Sequence, residues 1–260
     1  MMKPMKLCLL AITSVALLTA SAHAATISAS AGDLVLGFRA TGGTGSGYNL
    51  EVDLGSVKQF YAGTNLTLSV SGQDLTDIYG TWYGRTDLYW GAAASYSTSS
   101  TVDGKIPSTF WITARTNTAT SYAPLANTSG AQSGPASKII AMYTGGDGAL
   151  NGQTSTTNST NAARIDNTLP GAWSVQAGSS RNFFYDDIAP ERAISGTKTL
   201  ALYELDPTDQ SPRPKGTLLG NLTLGSDGSL NFQAIPEPST WMLVAAGLGM
   251  SMMINRRRKA

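Results

Sequence analysis

The side chains whose type suits bond-breaking chemistry are six carboxylates, Glu51, Asp53, Asp186, Asp187, Glu191 and Glu204. A glycoside hydrolase needs only two such groups across a cleft, one to donate a proton and one to attack or to activate water. No spacing singles out a pair, and acidic residues on a β-rich chain usually face water. The expectation is therefore a protein without enzymatic activity, with carboxylate-dependent glycoside hydrolysis as the alternative. Nucleophilic chemistry is more restricted. The only cysteine is Cys8 and the only histidine is His23. Cleavage after Ala24 would remove both, and with them Ser-His-Asp and Cys-His catalysis, thiolate or imidazole metal sites and disulfides. Calcium would suit the carboxylates and carbonyls of residues 145–148 or Asp186-Asp187. Neither segment has the spacing of an EF-hand or of a repeated glycine-aspartate array, so both read as solvated turns. No metal and no cofactor is expected.

Aromatic chemistry concentrates in one segment, where Tyr79, Trp82, Tyr83, Tyr89 and Trp90 accompany Arg85 and Asp87. Exposed rings beside polar groups can stack sugar faces, which makes Trp82, Tyr83, Tyr89 and Trp90 a candidate glycan platform. The competing reading, and the preferred one, places these rings in a core. The glycine-rich loop at residues 42–47 lacks the lysine of a P-loop and a following helix, so it reads as a hairpin loop. Thr116, Thr118 and Thr120 would form one flat row on a strand, a single rank where ice-binding faces need several.

The elements that must position these groups are short strands between turns. Residues 33–38, 48–54, 65–70, 109–114, 199–205 and 217–224 carry strand-like runs. Leu66, Leu68 and Val70 alternate with Asn65, Thr67 and Ser69, the pattern of a half-buried strand. Asp227-Gly228 is a hairpin turn that would pair the last two strands. Only residues 136–143 read as a helix. Polar stretches at residues 95–104, 116–137 and 151–163 read as long surface loops. Together these features imply an all-β chain, an antiparallel sandwich or jelly-roll-like passenger with long polar loops, ending in a short C-terminal hydrophobic helix.

Charge distribution divides the chain into three parts. The formal net charge is +1, yet six of the 18 basic residues lie at the two ends, against one of the 17 acidic ones, Glu237. The interior is acidic, which argues against nucleic acid as a partner. Residues 1–24 have Lys3 and Lys6 before an apolar run and Ala22-His23-Ala24 after it, the pattern of a signal peptide cleaved by signal peptidase. Residues 25–234 form the passenger. Residues 235–260 contain the rigid triplet Pro236-Glu237-Pro238, an uncharged stretch from Trp241 to Ile254, and the cluster Arg256-Arg257-Arg258-Lys259. As a helix the apolar stretch would extend roughly 21 Å, less than a ~30 Å hydrocarbon core.

In this order the triplet, the apolar stretch and the basic cluster resemble the PEP-CTERM sorting signal, a match covering about a tenth of the chain. The resemblance implies export, transient inner-membrane insertion through the tail, and cleavage near Pro236-Glu237-Pro238 by an exosortase-type membrane protease. Release to the cell surface or extracellular matrix would follow. It also implies a biofilm setting in which extracellular polysaccharide is a candidate partner. Residues 33–40 and Leu88-Tyr89-Trp90-Gly91 are similar to segments of uncharacterised PEP-CTERM passengers, a likeness that implies a shared β-rich fold and no reaction. A plain tail anchor is the competing account of the C-terminus.

Overall fold

The computed structural model describes residues 24–116, 124–144, 146–177 and 191–235. The expected signal-peptide residue Ala22, the expected sorting-motif residues Pro236, Glu237, Pro238, Arg256, Arg257 and Arg258, and Thr118, Thr120, Gly145, Asp186 and Asp187 lie outside the described residues. Among the described residues ten strands occur in chain order: β1 (Asp33–Ala40), β2 (Tyr48–Ser56), β3 (Leu66–Leu68), β4 (Leu88–Ser95), β5 (Phe110–Arg115), β6 (Ala162–Asp166), β7 (Glu191–Ala193), β8 (Thr199–Leu205), β9 (Thr217–Leu224) and β10 (Leu230–Ala234). Three helices, α1 (Gly72–Tyr79), α2 (Ser129–Thr144) and α3 (Trp173–Gln176), and a 3-10 turn at Val57–Tyr61 accompany them.

The strands form one curled antiparallel sheet in the order β3-β10-β9-β8-β5-β4-β1-β2-β6, with β7 also paired to β4. Alternation along each strand divides its side chains between two cores. The concave face collects Leu34, Leu36 and Phe38 of β1, Leu50 and Val52 of β2, Trp90 of β4 and Trp111 of β5. Leu200 and Leu202 of β8 and Phe232 of β10 join the same core, so strands from both halves of the sheet share it. The convex face presents Val35, Ala93, Phe110 and Ile112 to Ile139, Met142 and Tyr143 of α2 and to Trp173 of α3. A mainly antiparallel β fold is therefore what the strand patterns lead to. The Asp227-Gly228 hairpin forms as expected, with Leu230 opposite Leu224 and Gly228 at φ 88°.

Two tyrosines tie helices into the sheet. The Tyr79 hydroxyl of α1 accepts from Leu50 N–H at 2.9 Å and donates to Phe38 C=O at 2.7 Å, bridging paired residues of β1 and β2. The Tyr143 hydroxyl of α2 accepts from Ser95 N–H at 2.7 Å and donates to Ser95 C=O at 2.9 Å. Each hydroxyl engages buried backbone groups, and Ser95 C=O accepts from Gly32 N–H as well, at 2.9 Å.

The helical content exceeds the sequence expectation. α2 begins at Ser129, so part of the expected loop at residues 116–137 is helical despite Gly130, Gly134 and Pro135. Tertiary contact overrides weak propensity here. Buried Gln132 donates to Ser108 C=O and Leu205 C=O at 3.1 Å each and accepts from Asn127 N–H at 2.7 Å. α1 was not anticipated at all, although Ser71 caps Asp74 N–H and Leu75, Ile78 and Tyr79 share one buried face.

Candidate functional site

At one end of the concave face the sheet opens into a pocket of about 370 Å³ lined by Lys58, Tyr61, Tyr96, Asp103, Lys105 and Trp111. Its size falls in the range of small-ligand sites, and barrel mouths are a common place for them. Trp111 and Glu204 face each other across β5 and β8. The Tyr61 hydroxyl, from the 3-10 turn, donates to Glu204 Oε2 at 2.5 Å and accepts from Trp111 Nε1–H at 2.6 Å. Lys105 pairs with the other Glu204 oxygen and stands 4.8 Å from the centre of the Tyr61 ring. Tyr96 meets Trp111 edge to face at 5.3 Å.

The rim is held by local chain geometry. Val102 and Lys105 exchange backbone hydrogen bonds at 3.0 and 2.9 Å around Asp103 (φ 53°) and Gly104 (φ 77°), a two-residue turn with both central residues left-handed. The turn projects Asp103 to Lys58 at 2.9 Å, an exposed ion pair. That pairing lowers the pKa of Asp103 and raises that of Lys58. Burial raises the pKa of Glu204, with the Lys105 and Tyr61 hydrogen bonds opposing it. Burial and the Glu204 carboxylate push the Tyr61 hydroxyl upward, so it remains a proton donor. The pocket thus has aromatic walls, two ammonium groups and the Asp103 carboxylate, with buried Glu204 held by Tyr61 and Lys105.

Two of the six candidate carboxylates meet elsewhere. Glu51, Gly37, Gly91 and Glu191 form one row across β2, β1, β4 and β7 on the convex face. The Trp173 ring lies on Gly37, where a Cβ would come within 2.0 Å of it. Trp173 N–H donates to Glu51 Oε1 at 2.6 Å and Trp173 Nε1–H to Glu191 Oε2 at 3.0 Å, so one tryptophan bridges both acids. Glu191 also accepts from Arg39 Nε at 2.8 and 2.9 Å. Burial raises the Glu51 pKa to about 8, with Trp173 N–H and Asn49 opposing the rise. Both carboxylates are at most 2% exposed. The arrangement fastens α3 to the sheet and offers no open cleft. Asp53, at about 6, is raised by burial and by Asp33, with Gly55 N–H pulling it back.

The candidate glycan platform does not assemble. Trp90 is fully buried, stacked with Phe38 at 6.5 Å, and Trp82 is 5% exposed. Tyr89 follows strand alternation to the opposite face, where Arg39 lies 5.2 Å from its ring. Tyr83 packs edge to face on Trp82 at 5.3 Å and lies under Lys198. The four rings cannot present one coplanar row. Residues 42–47 lie in the hairpin loop joining β1 and β2, and Arg85 holds the carbonyls of Gly42 and Thr44 at 2.7 Å each. Thr116 donates to Thr199 C=O at 3.3 Å. Among the described residues no three of His, Cys, Asp and Glu come together as a metal site.

A second concavity, about 400 Å³, lies beside Asp74 and Asp77 of α1. Asp74 accepts from Thr156 at 2.7 Å, Asn158 at 2.9 Å and Ser159 at 2.5 Å, which ties the polar 154–159 loop to the helix. The pocket residues Lys58, Tyr61, Tyr96, Asp103, Lys105 and Trp111 went unnoticed in the sequence. One local signal points to them: Asp103-Gly104 is a hairpin dipeptide within residues 95–104, whose polar composition otherwise reads as loop. Compared with family models, with curated proteins and with solved structures, the chain matches none.

Proposed function

We propose that this chain is an exported, non-enzymatic protein of the cell envelope or extracellular matrix, sorted through a PEP-CTERM tail. The observation that carries this reading is the ordered set Pro236-Glu237-Pro238, apolar stretch and Arg256-Arg257-Arg258, which begins two residues after β10 ends at Ala234. Signal peptidase would cut after Ala24, and an exosortase-type protease would act transiently on the tail. The passenger serves as a sandwich-like module, its layers supplied by the two halves of the curled sheet. The test is deletion of residues 236–238 in the native host, followed by fractionation and intact-mass measurement. The deleted form is expected to stay unprocessed in the membrane while the parent chain reaches the surface or medium. Processing and release like the parent's would refute the sorting role.

A second reading, a carbohydrate-binding module, is favoured by the aromatic pocket at Tyr61, Tyr96 and Trp111. A polysaccharide-acting role would draw on Glu204, the buried acid at that pocket. Binding without hydrolysis separates the two, and reducing-end assays on the bound polysaccharide measure it.

A further inference from the structure

We infer that the fold contains a built site for a primary ammonium, and that its ligand is the chain's own amino terminus, created at Ala25 by cleavage after Ala24. The inference rests on that cleavage, part of the export reading, and goes beyond it to what the new terminus does. The small residues Ala22 and Ala24 place the cut in the sequence, and the fold marks the same boundary independently. Ala24 is exposed, whereas Ala25 is half-buried and hydrogen-bonded through both of its backbone groups. Ala25 N–H donates to Ser155 Oγ at 2.9 Å, and Ser155 N–H returns a bond to Ala25 C=O at 2.8 Å. Thr26 then bridges to Thr154, Ile27 N–H donates to Gln153 C=O at 2.9 Å, and Gly152 N–H donates to Ile27 C=O at 2.9 Å. Ile27 and Ala29, each 3% exposed, join the convex-face core that holds Ile139, Tyr143 and Leu150. Their burial fixes the segment, so the Ala25 nitrogen reaches Ser155 at little further cost in entropy.

The receiving side chain is itself buried and connected. Ser155, 5% exposed, lines the concavity beside Asp74 and Asp77. Its hydroxyl accepts from Ala25 and donates to Thr156 C=O at 3.4 Å, and the Thr156 hydroxyl donates to Asp74 Oδ2 at 2.7 Å. In the uncleaved chain the Ala25 nitrogen is an amide whose one hydrogen is spent on Ser155. After the cut it is an ammonium with three donors and a full positive charge. The charged groups lining the concavity are Asp74 and Asp77 on α1 and Arg164 on β6, and residues 154–157 add none. Two carboxylates against one guanidinium leave the site negative, which favours the ammonium over the amide. A hydrogen bond from a charged nitrogen is also stronger than one from a neutral amide. Signal removal thus adds a stabilisation that the precursor lacks, and it biases completion of the fold towards the cleaved chain.

The test compares three chains that keep the tail and are held in detergent: one beginning at Ala25, the same chain acetylated on Ala25, and one retaining Ala24 ahead of it. Thermal melts at about pH 6.5 should place the free Ala25 terminus about 2–4 °C above the acetylated chain, which keeps the N–H and loses the charge. The chain that begins at Ala24 should melt like the acetylated one. An ammonium favoured by the folded state has a raised pKa. Its contribution is complete below the ordinary α-amino range of about 7.7–8.0 and is lost as pH rises through the folded value. The gap should therefore close by about pH 10, and Ser155→Ala should narrow it at about pH 6.5. Equal melts of the free and acetylated chains at the lower pH, or a gap undiminished at the higher one, would overturn the ammonium site. Sequencing the amino terminus of the chain exported by its native host checks the reading beneath. Ala25 in first place is expected, and any other first residue would overturn the cleavage position and the inference with it. Ala25 in first place with equal melts would leave the cleavage standing and overturn the inference alone.

Discussion

Replacing Glu51 by glutamine isolates what a buried acid does to this fold. Glu51 carboxyl lies beneath α3, accepting from Trp173 N–H at 2.6 Å, with Asn49 beside it on β2. Across the same tryptophan sit Glu191 and its partner Arg39. Burial raises the Glu51 pKa from 4.5 to about 8, so the native state binds a proton that the unfolded chain has released. Its favourable contribution is complete below pH 4.5 and is lost as pH rises through about 8. At about 1.4 kcal/mol per pH unit, the loss reaches roughly 3 kcal/mol at pH 7 and roughly 5 kcal/mol by pH 9. Glutamine retains an oxygen for Trp173 N–H and has no proton to release. Urea unfolding of the parent chain and of Glu51→Gln at pH 4, 7 and 9 reads the difference directly. The two are expected to coincide near pH 4 and to separate progressively, with the variant the more stable. Because Asp53 titrates in both proteins, its contribution cancels. Parallel stability curves over this range would refute the assignment of a protonated Glu51 to the native state.

Three further perturbations probe the scaffold. Tyr79→Phe strips the hydroxyl from between Phe38 C=O and Leu50 N–H and should cost about 1–3 kcal/mol in denaturant unfolding; an unchanged midpoint would mean the strands re-pair without it. Gly37→Ala drives a methyl into the Trp173 ring and should cost about 1–3 kcal/mol, with an altered near-UV signal from the displaced indole. A native-like near-UV spectrum would count against the close packing of α3. Trp90→Ala should lose about 3–5 kcal/mol, consistent with a core ring; a variant as stable as the parent would return Trp90 to the surface.

Much of the sheet was legible in the order of residues. The alternation of Leu66, Leu68 and Val70 with polar neighbours marked β3, although only Leu66–Leu68 pair as strand. The runs at residues 33–38, 48–54, 199–205 and 217–224 all lie in strands, because period-two burial is written locally. Short β6 and β7 escaped notice. Their pairing depends on Glu51 and Gly91 lying opposite Ala163 and Glu191, partners more than 90 positions away. α1 was readable and went unread, since its Ser71 cap and buried Leu75, Ile78 and Tyr79 are local signals.

The candidate site was less legible for the same physical reason. Clustering along the chain drew attention to Trp82, Tyr83, Tyr89 and Trp90, but adjacent strand residues point to opposite faces, and the curl of the sheet encloses Trp90. The rings that do border an open pocket, Tyr61, Tyr96 and Trp111, are scattered through the chain and converge only when the 3-10 turn, the end of β4 and β5 come together.

The sequence by itself determined the composition of the chemistry: carboxylates, amines and aromatic rings, with no cysteine or histidine after Ala24. It also determined the strand-rich class, through alternation that needs only neighbouring residues. Tertiary structure alone decided that Glu51 and Glu191 would share one tryptophan under cover, and that Glu204 would meet Tyr61 and Lys105 at an opening. Which acids are buried, which rings are exposed and which charges are paired depend on the register and curl of strands far apart in the chain. Those follow from the summed packing of both faces.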